Sequence, residues 1–268
     1  MSLIYLSVWD LALAAGLVLL LAALSWRLGL GVERRVLIAA LRSAVQLMLI
    51  GLVLKQLFAQ THLALIGLIA LIMLSVAGWE VRSRQKRRYL GVWGYGIGAL
   101  SLFVSSFSVT LLALIVIIGV KPWYQPQYLI PLLGMMLGNT MSGVAIALDQ
   151  LTRQAWESRG CIEARLLLGA TWDDAIADVR RDALRSGLIP IVNAMAAAGL
   201  VSLPGMMTGQ ILAGSPPLEA AKYQLLIMFL LSGATGLGAV AAVWMGSRRL
   251  FDERQRLRLD RLMAAVRG

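Results

Sequence analysis

An all-α integral membrane protein of about seven transmembrane helices is the fold class this sequence predicts, and three observations carry it. Hydrophobic residues make up 59% of the 268 and charged residues only 15%, with a mean hydropathy of +0.77; soluble domains run at about 45 to 50% and about 25%. The apolar residues fall in runs of the roughly 20 residues that a helix needs, at about 1.5 Å each, to cross a hydrocarbon core of about 30 Å. The basic residues collect in alternate gaps between those runs. A soluble enzyme domain is excluded. The single cysteine, Cys161, leaves no internal disulfide framework and no thiolate metal cluster.

The runs follow in order. The first extends from Tyr5 to Trp26 and lacks a basic lead or a small-residue cleavage site, so it reads as an anchor and not a cleaved signal. The second, Val36 to Leu54, carries Arg42 and Gln46; the third, Leu63 to Trp79, is uncharged. From Tyr89 to Val120 the uncharged run exceeds one crossing, and Gly91, Gly94, Gly96 and Gly98 suggest a loose entry before the helix proper. The fifth, Leu129 to Leu148, follows the turn-rich KPWYQPQY. Next comes Ser186 to Leu218, which one straight helix cannot fill because Pro190, Pro204 and the SPP at 215–217 interrupt it. Tyr223 to Ser247 is the seventh.

Charge sets the orientation. Of the 25 Lys and Arg, only Lys55, Lys121 and Lys222 lie in one set of gaps and Arg42 inside a span; all others fall in the alternate set. By the positive-inside rule that set is cytoplasmic, which puts the N-terminus outside and the C-terminus inside. The net charge of +11 then needs no nucleic acid to explain it. The chain reads as a single transmembrane domain over 1–268, with a cytoplasmic loop at 152–187 and a cytoplasmic tail at 248–268. In that tail Leu259, Leu262, Met263 and Val266 recur at helical spacing among arginines, predicting an amphipathic helix on the anionic inner leaflet, with membrane lipid as its partner.

The loop holds the most information. Ile162, Leu166 and Leu167, then Ile176, Val179 and Ala183, are at helical spacing on either side of Gly169. Thr171 with Asp174 forms a capping-box start for the second segment. Asp174, Asp178 and Asp182 make an acidic column whose members can pair with Arg181 and Arg185. The result is helix, glycine turn, helix, suited either to lying on its own membrane domain or to docking a protein.

Glu163-Ala164-Arg165, then Gly169, then a capped helix, resembles the EAA loop of ABC-transporter permeases over about thirty residues, with Arg165 standing where that family favours Ala. The resemblance implies that Glu163, Ala164 and Gly169 form a coupling helix seated in a separate ATPase subunit. PLLGMMLGNTMSGVAIALDQL (131–151), AMAAAGLVSLPGMMTGQILAG (194–214) and AKYQLLIMFLLSGATGLGAV (221–240) look like the FetB family, described in bacteria as the permease of an iron-exporting ABC transporter and related to plant aluminium-tolerance proteins. That resemblance implies a permease that forms a homodimer in the cell inner membrane. ATP and Mg would be bound by the partner ATPase, with no cofactor on this chain. The sequence agrees on one point: the four lysines follow Leu54, Gln85, Val120 and Ala221, so no Gly-Lys-Ser/Thr phosphate loop exists.

Polar groups inside spans are the candidates for a substrate path, because they are costly there. Gln46 is a possible wall residue. Asn139 is next to Gly134, Gly138 and Ser142, a small-residue seam, so it serves either as hydrogen-bonding glue or as a path residue. Asp149 is placed to cap or to pair with Arg153. Pro204-Gly205 breaks a helix where freed backbone is tolerated only in protein or along a cavity, and Met206, Met207, Thr208 and Gln210 follow directly. These thioethers and oxygens fit a weak, exchangeable cation site, while the methionines taken alone fit better as core filler and the break as an outer-leaflet turn. With no His/Cys/carboxylate cluster, metal ligands stay unassigned. A stand-alone channel or secondary transporter, or an ABC permease for a non-metal solute, is the alternative. A membrane hydrolase is disfavoured, since the one histidine, His62, is in an outer loop.

Overall fold

The computed structural model describes residues 7–57 and 62–264; Tyr5 and Val266 lie outside them. Among the described residues the regular elements are all helices, joined by turns, and the β pairing is confined to isolated bridges. Six helices among the described residues are long and apolar enough to cross a bilayer, and the protein is an all-α, multi-pass integral membrane protein. Two compact units are present: α1 (Val8–Arg27) and α2 (Glu33–Leu57) with Leu212–Gly214 in one, and 62–211 with the described residues from 215 onward in the other.

In the first unit, α1 starts on a capping box: the Asp10 amide donates to Ser7 Oγ at 3.3 Å, and the Ser7 amide donates to the Asp10 carboxylate at 2.8 Å. Glycines at positive φ, Gly29 and Gly31, turn the chain into α2, and Ser25 Oγ donates to Glu33 across that turn at 3.1 Å. Both helices expose leucines along most of their length, the surface that lipid covers.

The second unit is built on α6 (Pro126–Glu157), which packs against α3 (Leu63–Arg84), α4 (Trp93–Leu102), α9 (Ala177–Ala197) and α11 (Pro217–Arg249). Contacts fix the directions. A β-carbon on Gly134 would meet Met73, the Arg84 guanidinium donates to Ser142, and the Lys86 amide donates to Asp149, so α3 and α6 run parallel. Gly238 lies against Thr140 and Val144, and Gly246 against Leu148 and Leu151, so α11 runs parallel to them too. Helix α4 is antiparallel to α3, with Gly78 opposite Ala99 and Gly94 beside Arg82. The basic segments from α3, α6 and α11 therefore gather at one end of this unit.

The long fourth run holds α4, a π-helical stretch at Phe103–Phe107, α5 (Ser108–Leu112) and a second π-helical stretch at Ala113–Ile117. Two of its four leading glycines serve close packing: a β-carbon on Gly94 would come within 2.5 Å of the Tyr89 carbonyl and one on Gly98 within 2.9 Å of Val81, while Gly91 and Gly96 meet open space. Of the predicted seam on α6, Gly134 touches Met73, while Gly138 meets open space; the tight contact is one turn on, at Gly143, where a β-carbon would stand 2.9 Å from the Gly187 carbonyl.

No single helix fills Ser186 to Leu218. Helix α9 runs from the loop straight through Pro190 to Ala197, and the break comes at Gly199, where φ is 86°. Helix α10 (Gly205–Leu212) then precedes α11. The tail departs from the amphipathic helix that its spacing predicts. After α11 the chain forms a bridge between Phe251 and Leu257 and a single 3-10 turn at Leu259–Arg261, and Leu262 bridges to Tyr89. Burial of Leu262 against the bundle end, together with that of Phe251 earlier in the tail, is the reason, since it takes Leu262 out of the apolar face that such a helix would have presented.

Candidate functional site

The polar loop folds as α7 (Arg159–Leu167), a glycine turn, α8 (Trp172–Ala175) and the first turns of α9. Gly169 takes φ of 91°, which lets the Ala170 amide return to the Arg165 carbonyl and close α7. The Asp174 amide donates to Thr171 Oγ1 at 3.3 Å, as the cap predicts; the Asp174 carboxylate accepts from the Thr171 hydroxyl at 2.7 Å instead of returning to the cap amide. Asp178 accepts from Arg181 on its own helix, and from Arg165 on α7 at 2.7 Å. Arg165, where the EAA pattern would place Ala, is thus the strut of the hairpin. Its guanidinium holds the Asp178 carboxyl below its ordinary range, and Arg180 does the same to Asp173.

Glu163, Ala164 and Gly169 are exposed on this hairpin, and Leu167 and Leu168 at its tip are each 88% exposed. The tail packs beside it. Trp172 donates its amide to Gln255 Oε1 at 2.9 Å, its ring is 5.8 Å from Phe251, and the Arg180 and Arg248 guanidiniums lie over it. Between hairpin and tail is an open cleft of roughly 790 Å³ whose walls include Glu163, Leu167, Gly169, Arg254 and Gln255. Tail carboxylates are held low by their neighbours: Asp252 by the Arg256 backbone and side chain, Asp260 to about 2 by Arg258. The tail also ties down the α3–α4 turn, where the Leu90 and Met263 amides donate to the Arg261 and Arg88 carbonyls. Tyr89 is buried there, which pushes its phenol up.

The predicted path residues are dispersed. Gln46 is exposed on α2 of the first unit. Asn139 is exposed on α6 and donates to the Met135 carbonyl at 3.0 Å, a bond within its own helix. Met206, Met207, Thr208 and Gln210 are half-buried on α10, a helix with no buried residue, so they stand at an edge and not in the packed core. Thr208 Oγ1 donates to the Pro204 carbonyl, while Gln210 Oε1 is buried without a partner among the described residues. Asp149 neither caps nor pairs with Arg153; it accepts from the Lys86 amide at 2.6 Å and pins the α3–α4 turn.

A different polar set occupies the core. Ser105, Ser106 and Thr110 from the π-interrupted helix, Thr140 from α6 and Thr235 from α11 are all buried. Ser106 Oγ, Thr110 Oγ1, Thr140 Oγ1 and Thr235 Oγ1 find no hydrogen-bond partner among the described residues, an arrangement that costs about 1–3 kcal/mol per group. The sequence carried the signal in Ser101, Ser105 and Thr110 at near-helical spacing inside an uncharged run, but short hydroxyls alone do not declare a site. No group of three His, Cys, Asp or Glu capable of holding a metal occurs among the described residues.

Comparison with known proteins adds the following. Residues 8–251 match the family described as "Uncharacterised protein family (UPF0014)". A UPF0014 membrane protein of Synechocystis is 40% identical, covering 93% of this chain and 94% of its own length. "Probable iron export permease protein FetB" of Escherichia coli is 33% identical over 94% of this chain and 95% of its own. "Protein ALUMINUM SENSITIVE 3" of Arabidopsis thaliana is 33% identical over 87% and 84% respectively. No solved structure matches the chain.

Proposed function

Because the chain belongs to the UPF0014 family of membrane proteins, we propose that it is the permease subunit of an ABC transporter that exports iron or another metal ion, driven by ATP hydrolysed in a separate subunit. The observation that carries this reading is the α7–α8 hairpin, which presents Glu163, Ala164, Gly169 and two almost fully exposed leucines at the basic end of the bundle. Exposed leucines beside a folded tail and a cleft are a docking surface in search of a partner. The name of the Escherichia coli relative supports a permease, and iron as cargo. On this reading the basic end is cytoplasmic, the membrane is the inner membrane, ATP and Mg sit in the partner, and the permease forms a homodimer. Met206, Met207, Thr208, Gln210, Asn139 and Gln46 are then wall residues along the substrate path, at positions that are half-buried or exposed within one copy.

The test is purification of the chain with its associated proteins, followed by reconstitution. A P-loop ATPase is expected to co-purify, and its turnover to rise with one or a few metal ions. Glu163→Ala is expected to leave membrane insertion intact and to uncouple ATP turnover from metal flux. Unchanged coupled flux in that variant would remove the assigned role of Glu163. Flux through the chain alone without ATP would replace the reading with a channel or secondary transporter, and stimulation by an organic solute but by no metal would change the cargo.

A further inference from the structure

The buried hydroxyls of the core are arranged around one helix crossing. A β-carbon on Gly238 would stand 2.5 Å from Thr140 Cγ2 and 2.9 Å from Ser105 Oγ; one on Gly143 would stand 2.6 Å from Thr235 Cγ2. Thr140 and Gly143 are a turn apart on α6, as are Thr235 and Gly238 on α11, so each threonine packs its methyl on the other helix's glycine and leaves its hydroxyl at the crossing. The helix that carries Ser105, Ser106 and Thr110 packs on both. Three turns from Thr235 on the same stripe of α11, Gln224 is buried with its Oε1 also unpartnered among the described residues. The π-helical stretches at Phe103–Phe107 and Ala113–Ile117 interrupt the regular ladder beside these groups.

Packing alone does not account for this. A close helix contact needs the glycines and methyls, and valine would supply the same shape without an unpaired hydroxyl. Unpaired polar groups at membrane depth persist where water or an ion satisfies them in some state of the protein. We propose that the seam formed by Ser105, Ser106, Thr110, Thr140 and Thr235, continued by Gln224, is an oxygen-lined path for a hard cation that keeps part of its water. The donors are neutral hydroxyls and a carbonyl, which replace water around such an ion without binding it tightly enough to trap it. With no carboxylate to offset the charge, the ion must bring water with it. The crossing is closed in this structure, so passage requires α6 and α11 to separate there. The cargo in this assignment rests on the permease reading; the location of the path does not.

Two measurements test it. In a Cys161→Ser background, which removes the one native thiol, single cysteines are placed by Ser106→Cys, Thr140→Cys and Thr235→Cys, with Leu133→Cys as a buried apolar control, in the full chain in membrane vesicles. Aminoethyl methanethiosulfonate, a small cationic thiol reagent, is expected to label the three seam positions at least about tenfold faster than the control. Equal rates at all four positions would overturn the path. Separately, Thr140→Val and Thr235→Val keep shape and remove the hydroxyl. Each is expected to unfold at an unchanged or higher temperature while metal flux through the reconstituted complex falls about tenfold. Lower thermal stability with unchanged flux would show that the hydroxyls are structural. If the wild-type complex moves no metal, the permease reading fails, and the labelling pattern still decides the seam.

Discussion

Gly169 ends α7 at a backbone angle that side chains rarely adopt, yet a β-carbon there would meet nothing within 4 Å. Its requirement is conformational. Gly169→Ala is therefore expected to weaken the hairpin by about 1–3 kcal/mol without harming the bundle, read as faster hydrogen exchange across residues 159–175. Gly160 also has open space but lies within helix α7, so Gly160→Ala is expected to slow exchange in the same segment. Local signals of this kind were legible in the sequence: the Thr171–Asp174 cap and the Arg181 and Arg185 pairs with Asp178 and Asp182 all form. The partners of Arg165 and Asp149 were not. Arg165 reaches 13 residues along the chain to Asp178, and Asp149 takes an amide 63 residues away; no periodicity encodes such meetings.

Helices cross most tightly where backbone meets backbone. A β-carbon at Gly143 would come within 2.9 Å of the Gly187 carbonyl, and one at Gly187 within 2.7 Å of the Gly143 carbonyl. Neither oxygen can swing aside as a flexible side chain would. Gly143→Ala and Gly187→Ala are each expected to destabilise the protein by about 1–3 kcal/mol or more, measured as a lower unfolding temperature in detergent. Gly138→Ala, five residues earlier on the same helix with open space around it, is expected to be near neutral or slightly stabilising. Glycine spacing announced a packing helix here but not which glycines touch, because that depends on the rotation of α6 against α9 and α11. The fourth run was likewise legible as a span, whereas its two π-helical stretches were not.

At the basic end of the second unit the hairpin and the tail are each braced by carboxylate–guanidinium contacts of their own, Arg165–Asp178 and Arg180–Asp173 in the hairpin, Arg256–Asp252 and Arg258–Asp260 in the tail. Asp173, Asp178, Asp252 and Asp260 are all held below their ordinary values in the fold. Their contribution is therefore complete above the unfolded value of about 4 and fades as pH falls through the folded values, about 2 for Asp260. Hydrogen exchange in residues 170–180 and 250–262 is expected to be flat from neutral pH to about 4, after correction for intrinsic rates, and to accelerate between about pH 4 and 2. Loosening that begins near neutrality would point to groups other than these aspartates. Hydropathy and the distribution of 25 basic residues were enough to establish a helical membrane protein with its positive charge segregated, because lipid imposes both rules along the chain and needs no tertiary contact to do so. The tail's hook and the meeting of hydroxyls from three helices belong to packing alone. They arise where residues distant in sequence are pressed together, and short neutral side chains such as Thr140 and Thr235 acquire meaning only from what surrounds them.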